Sequence, residues 1–548
     1  MSEVNNYGID ESHVVGETGP TTPLKAGAVL VDHIAICSGH YGKKSLDIKQ
    51  QCTNVTIFED ISKYHLSGRL TVVDGLDVIK NMKLIGQETL TIKMRVPSSD
   101  GDFEDIEQND LACRMPGNSI DQLFRIYSIT DYKPLRNGHA SYVLHFIDPM
   151  AFEFHRKKIN KVLRGRYSDM LGVTLYEDAQ MKQYMGQNIS GLEQTVPENM
   201  QLVVPNWNIN RLIKFFCENS EVENNKSFKN SMFFYQTLMK FGEFDNQYKF
   251  QSFQTMCDPL MKHQMMFLHH GTHERDTSGE NHHTLREHFI IDFERPQKAN
   301  TLLGKTKGAY ASKMTTYDPV RKVHEDVIYS ITDVFKRGEK ASAHVNQNPM
   351  IIDDDFIPIC KVDDFLEGEP ETKEVFAEQK YNVDFDDKII HRVNMTNAYS
   401  DEEKLVDATE SENVQQQIGL EYRDSGELER QALLGLMEQN ITRVKIPLRF
   451  DMMVGQTVDI KLPPPEINPQ EDNEDELEGT TYLVGKLTYE ISPQDNYGEL
   501  TMQCIKESFG TNIASYEPQF IEDQHMEGES KIEQPIEDFE TGYNYGIG

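Results

Sequence analysis

At 548 residues the chain exceeds the ~250–300 residues that one hydrophobic core usually organises, so several domains are expected. Hydrophobic residues make up 38% and charged residues 26%, enough to bury cores beneath a polar surface. A net charge of −34 argues against a nucleic-acid binder, because neutralising phosphates requires clustered Lys and Arg.

The acid is local. Residues 351–387 carry 13 acids against 3 bases, 466–478 carry 7 acids and no base, and 509–548 carry 9 acids against 1 base. Such runs read as solvated loops and a tail. Glu471, Asp472, Glu474, Asp475 and Glu476 form the candidate partner-facing acidic loop. The one basic cluster, Arg156, Lys157, Lys158, Lys161, Arg164 and Arg166, reads as a solvated face. Met1-Ser-Glu-Val-Asn-Asn has neither the basic nor the apolar part of a secretory signal, and no apolar run approaches the ~18 residues of a membrane span. Cys37, Cys52, Cys113, Cys217, Cys257, Cys360 and Cys504 lie singly, as small buried thiols of a reducing compartment rather than a disulfide or zinc framework.

In chain order, residues 1–26 are a flexible arm. Strands fill 27–150, with period-2 alternation at Val55 and Ile57, at Leu70 and Val72, and over Thr89 to Val96. Phe124 to Asp148 reads as a long hairpin turning at Asn137-Gly138, since both residue types tolerate positive φ. Residues 151–257 are an α/β module, with a helix over Asn210 to Phe216 after Pro205-Asn-Trp207 and a strand over Lys249 to Cys257. Residues 258–350 are mixed and supply strands to a second barrel, with candidates at His288 to Phe293 and Val327 to Phe335. Residues 351–435 hold the acidic connection and the start of a helix over Gly426 to Gln439. Alternation resumes within 436–508, at Val444 to Phe450, Val458 to Leu462, Leu483 to Ile491 and Leu500 to Cys504, before the acidic tail 509–548. The segments from Phe124 and from Tyr482 share one plan: an alternating strand, a polar turn ending in Gly138 or Gly498, and a second alternating strand. That plan implies two copies of one barrel. The expected fold class is mixed β with α/β: two β-barrels flanking a mixed α/β middle, with acidic insertions.

Two segments imitate catalytic motifs. Ala299-Asn-Thr-Leu-Leu-Gly304-Lys305-Thr306 resembles a phosphate-binding loop, but Ala299 stands where the first Gly must free the backbone. Met350-Ile-Ile-Asp353-Asp354 imitates a magnesium-holding strand end. His263, His269, His270, His273, His282, His283 and His288 lie within 26 residues, without the i, i+4 spacing that sets two ligands on one helix face. No Gly-x-Ser-x-Gly elbow occurs. The expectation is no enzyme, no cofactor and no metal; a phosphate-loop or metal-dependent enzyme is the alternative.

Val55-Thr-Ile-Phe-Glu-Asp-Ile61, Gly68-Arg-Leu-Thr-Val-Val-Asp74-Gly75 and Leu84-Ile-Gly86-Gln-Glu88-Thr-Leu-Thr-Ile92 resemble the first tube-like barrel of the central baseplate hub of contractile-tailed, T-even-type phages. Val203-Val-Pro205-Asn-Trp207 is similar to the start of that family's middle module, Tyr317-Asp-Pro319 with Lys322 to part of its central region, and Met453-Val-Gly455-Gln-Thr-Val-Asp-Ile460 to its closing barrel. The resemblance spans roughly 30–508 and rests on the order of these motifs. It implies a homotrimer whose two tube-like barrels per subunit make a pseudo-sixfold ring around the DNA exit channel. That ring joins the tail tube to the central spike, with tape-measure and wedge proteins as further partners. It also implies a place in the virion after assembly in the host cytoplasm. The hub of a bacterial contractile injection system, related to type VI secretion spike proteins, is the other reading. The 351–390 and 463–479 insertions, the His-rich loop and the N-terminal arm depart from the T-even pattern.

Overall fold

The computed structural model describes residues 26–38, 45–96, 119–135, 138–179, 191–196, 198, 200–222, 228–238, 248–263, 266–269, 289–318, 323–337, 344–350, 388–393, 420–462 and 479–510. The N-terminal strands are β1 (Leu30–Cys37), β2 (Ser45–Asp47), β3 (Cys52–Asp60), β4 (Ser67–Asp74), β5 (Thr89–Arg95), β6 (Ser119–Pro134) and β7 (Ala140–Ile147). They pair antiparallel in the order β3-β4-β7-β6-β5-β1-β2. The alternation has its usual consequence: Gly68, Leu70, Val72 and Asp74 of β4 turn inward while the residues between them do not. A short helix, α1 (Val78–Met82), follows β4 without having been expected; the Asp74 carboxylate starts it by accepting from Val78 N–H at 2.6 Å.

The middle region packs on its own core, built from Phe154, Leu171, Ile213, Phe216, Phe234 and Phe250 among others. Its elements are α2 (Met150–Arg156), β8 (Lys158–Ile159), β9 (Val162–Gly165), α3 (Tyr167–Val173), β10 (Thr195–Val196), β11 (Met200–Val203), β12 (Trp207–Asn208), α4 (Ile209–Asn219), β13 (Glu221–Val222), β14 (Met232–Gln236) and β15 (Tyr248–Ser252). The expected helix after Trp207 is α4. It begins where the Asn208 side chain accepts from Arg211 N–H at 3.0 Å, and it buries Leu212, Ile213 and Phe216. The strand expected over Lys249 to Cys257 is half right. It stops at Ser252, whose hydroxyl accepts from Thr255 N–H and starts α5 (Phe253–Met256).

The remaining strands are β16 (Met266–His269), β17 (Phe289–Ile290), β18 (Asp292–Gln297), β19 (Ala311–Asp318), β20 (Val323–Ser330), β21 (Asn348–Pro349), β22 (Lys388–Val393), β23 (Asn440–Pro447), β24 (Thr457–Lys461), β25 (Thr481–Ser492), β26 (Tyr497–Lys506) and β27 (Ser508–Phe509). Helices α6 (Thr301–Lys307), α7 (Ile331–Arg337) and α8 (Leu420–Met437) lie among them. The expected strand over Val327 to Phe335 ends at Ser330 instead; Ile331, Val334 and Phe335 then recur at helical spacing and are buried on α7.

Strands from residues 30–147 and from 266–506 meet in one 14-stranded sheet. Within it the order β24-β25-β26-β23-β18 repeats β5-β6-β7-β4-β3 strand for strand, every neighbour antiparallel. The two similar hairpins seen in the sequence are β6–β7 and β25–β26, at corresponding places. One irregularity is shared, a slip between Ile126 and Ser128 in one ladder and between Val484 and Lys486 in the other; a second slip, between Thr130 and Lys133, belongs to the first ladder alone. One contiguous core runs beneath both strand sets.

Candidate functional site

The two strand sets join where β3 pairs antiparallel with β25, from Val55 opposite Ile491 to Asp60 opposite Lys486. Burial of the outward backbone edge of β25 by another strand removes a row of raw donors and acceptors. The joint is locked by Glu59, which follows Val55 and Ile57 in the inward phase of β3. Its Oε1 accepts from Val454 N–H at 2.9 Å, and its Oε2 accepts from Leu238 N–H and Tyr489 O–H, both at 3.2 Å. One side chain thus ties β3, the middle region, β25 and the loop before β24. Burial pushes its carboxyl up to about 7, against those donors and the charge of Lys249. Burial brings the Lys249 ammonium down to about 8, against the attraction of Glu59.

Other acids in the resembling motifs also organise backbone. Asp74 accepts from Leu76 N–H, Val78 N–H and Tyr142 O–H at 2.8, 2.6 and 3.2 Å. Glu88 folds the Gly86-Gln87 turn over itself by accepting from the amides of Ile85, Gly86 and Gln87. Gly86 meets that turn at φ +85°, a conformation that costs glycine least. Asp148 links the first strand set to the middle region, accepting from Gln236 Nε2 at 2.7 Å and Tyr248 O–H at 3.1 Å. Burial raises its carboxyl above the ordinary range while these donors oppose the shift. Sequence reasoning passed over Glu59, although an acid in the apolar phase of a strand was a readable signal.

The mock phosphate loop is a helix. The Asn300 side chain accepts from Leu303 N–H at 3.0 Å, and Gly304 N–H donates back to the Asn300 carbonyl at 3.0 Å. Gly304 and Lys305 therefore sit inside α6, with the Gly304 amide committed to the Asn300 carbonyl. Gly304 is there for close packing: a Cβ would stand 2.9 Å from the Tyr310 ring and overlap the Gln439 amide. Asp353, Asp354 and the acidic loop from Glu471 to Glu476 lie outside the described residues, as do His270, His273, His282, His283 and His288. His263 stands 3.5 Å from Asp451. Of the basic cluster, Arg156 and Lys157 pair with Glu153, Lys161 with Asp178, and Arg166 with Glu198. Cys52, Cys217, Cys257 and Cys504 are buried, and burial pushes the Cys217 and Cys504 thiols up to about 12. Such thiols are poor nucleophiles.

A surface feature stands out instead. β6 is flanked by β5 only over Ser119–Arg125; beyond the slip at Tyr127, β7 alone pairs with it among the described residues. Residues 131–135 of that stretch are exposed, including the large side chains Tyr132 and Leu135.

No family model matches the chain, and no curated protein matches it. Among solved structures it is similar to a tail protein from Neisseria meningitidis MC58, at 8% identity and a TM-score of 0.43, over 88% of this chain and 98% of that one. It is also similar to the 43 kDa tail protein of prophage MuSo2 from Shewanella oneidensis, at 7% identity and 0.39, over 87% and 100%. A type VI secretion system component of E. coli shares 9% identity at 0.33, over 84% and 77%. These are likenesses of chain course at identities too low to assign membership in a family.

Proposed function

We propose that the chain is a non-catalytic structural hub subunit of a contractile-phage tail baseplate. Three copies form a pseudo-sixfold ring that joins the tail tube to the central spike and lines the DNA exit channel. The observation that carries this reading is the repeated strand order, β24-β25-β26-β23-β18 after β5-β6-β7-β4-β3, joined edge to edge by β3 and β25. A subunit built from two similar halves lets a threefold assembly offer six similar surfaces, which suits an adaptor between a sixfold tube and a threefold spike. The resemblance of the 55–61, 68–75, 84–92 and 453–460 motifs to hub proteins supports the same reading.

In this reading residues 27–150 are the first tube-like barrel and 151–257 the α/β module. Strands from 258–350 and from 436–508 make the second barrel, with 351–435 as the acidic connection and helix between them. The arm 1–26, the tail 509–548 and the loop holding Glu471, Asp472, Glu474, Asp475 and Glu476 face neighbouring tube, spike, tape-measure or wedge proteins. The protein acts in the virion, at the tail baseplate, after assembly in the host cytoplasm. Imaging the full chain with its candidate spike and tube partners tests the proposal: threefold rings are expected, and particles without a ring overturn it.

A further inference from the structure

The two strand sets share a strand order but differ in what covers one edge. Aligning the two hairpins on their slips puts Ser128 in the place of Lys486, Ile129 in that of Leu487 and Thr130 in that of Thr488. The ladder of β6 then takes one extra residue, with Asp131 at φ +54°, so Lys133 falls in the place of Glu490. On β25 this stretch is covered by β3; on β6 the same edge has no strand beside it among the described residues. The contrast is visible in two tyrosines. Tyr489 is fully buried, whereas Tyr132, at the slip and stacked on Tyr142, is 60% exposed.

The strand that corresponds to β3 is β18. Val444 of β23 faces Met502 as Leu70 of β4 faces Leu144, so Phe293 takes the place of Val55 and Glu294 that of Thr56. β18 ends its branch of the sheet, pairing with β23 alone among the described residues. Thr56 faces Glu490 in the internal joint. The same register therefore sets Glu294 opposite Lys133, acid against base, where a cross-strand pair is favourable. Both side chains are exposed: Glu294 is 64% accessible beside Arg443, and Lys133 lies in the exposed run 131–135.

We propose that the 128–134 edge of β6 in one copy receives β18 of a second copy as an added antiparallel strand, with Glu294 facing Lys133. Each copy carries both halves of the contact, so association is head-to-tail and closes into a ring or runs on as a filament. Closure at three copies rests on the hub reading above; the strand pairing does not. Each contact between copies repeats the β3–β25 joint within a copy, and one sheet continues around the assembly.

A disulfide reads the register directly, because paired Cα atoms in antiparallel strands lie ~4.5–5.5 Å apart, within disulfide reach. The full chain carrying Lys133→Cys is mixed with the full chain carrying Glu294→Cys, with the spike and tube partners present, and oxidised mildly. A covalent pair mapped by mass spectrometry to 133 and 294 is expected, absent from either variant alone and from the unaltered chain. The unaltered chain's mass is measured alongside by light scattering. Oligomers without a 133–294 cross-link overturn the strand contact and leave the ring standing. A cross-link in open-ended filaments keeps the contact and overturns closure at three. A chain that stays monomeric with its partners overturns both.

Discussion

Replacing Glu59 by Gln tests whether the joint between the two strand sets is held as described. In the wild type, burial lifts the carboxyl from 4.5 to about 7. Between those values the folded protein keeps a proton that the unfolded chain has lost, so stability falls as pH rises through the interval and levels off above it. At about 1.36 kcal/mol per pH unit, the loss from this group is roughly 3 kcal/mol. Gln has the same shape and no titration, but the second oxygen of the carboxyl can still accept a hydrogen bond when it carries the proton, and the amide nitrogen cannot. If the amide oxygen serves Leu238 N–H and Tyr489 O–H, the amide nitrogen faces Val454 N–H, at a cost of about 1–3 kcal/mol. Glu59→Gln is therefore clearly destabilising at pH 5 and near neutral or stabilising at pH 8. The assay is urea denaturation of both proteins at the two pH values. Groups other than Glu59 and its buried neighbours cancel in the comparison. A stability difference that is the same at pH 5 and pH 8 refutes the reasoning.

Other outcomes follow from single sites. Gly68→Ala places a Cβ 2.5 Å from Phe146 Cε2 and against the Thr56 carbonyl, which cannot yield, so a loss of about 1–3 kcal/mol is expected. Gly485→Ala meets chiefly the end of the Ile505 side chain and should cost less; thermal melting that ranks the two the other way contradicts the packing. Asn208→Ala removes the cap of α4 and should lower stability by about 1 kcal/mol in denaturant melts, with an unchanged midpoint telling against the cap. Calorimetric titration with ATP should show no binding to the wild type. Micromolar binding abolished by Lys305→Ala would sink the non-catalytic reading.

Much of the sheet was readable because its strands alternate strictly: the inward phases of β4, β5, β7 and β25 can be counted from Leu70, Leu90, Leu144 and Leu487. Short helices were harder. Phe253 to Met256 and Ile331 to Arg337 each continue an apolar strand, and only the capping behaviour of Ser252 and the spacing of Val334 and Phe335 betray the change. The repeat was legible as two hairpins and no further, since β18 and β23, which complete its second copy, are separated by more than 140 residues. The contact of Glu59 with Val454 joins residues 395 apart and leaves no local trace. The acidic loop at 471–476, the candidate site of the sequence reading, lies outside the described residues; the organising acids described above sit within a strand or at its end. Acidity in the loops catches the eye because it is dense. Glu59, Asp74 and Asp148 matter because each is buried among donors.

The central claim is assembly. Light scattering of the full chain with spike and tube partners reads it most directly. The account predicts a stable core of three chains, about 190 kDa from subunits of 63.0 kDa, with threefold symmetry in images of the same particles. A 63.0 kDa species that persists in the presence of both partners contradicts it.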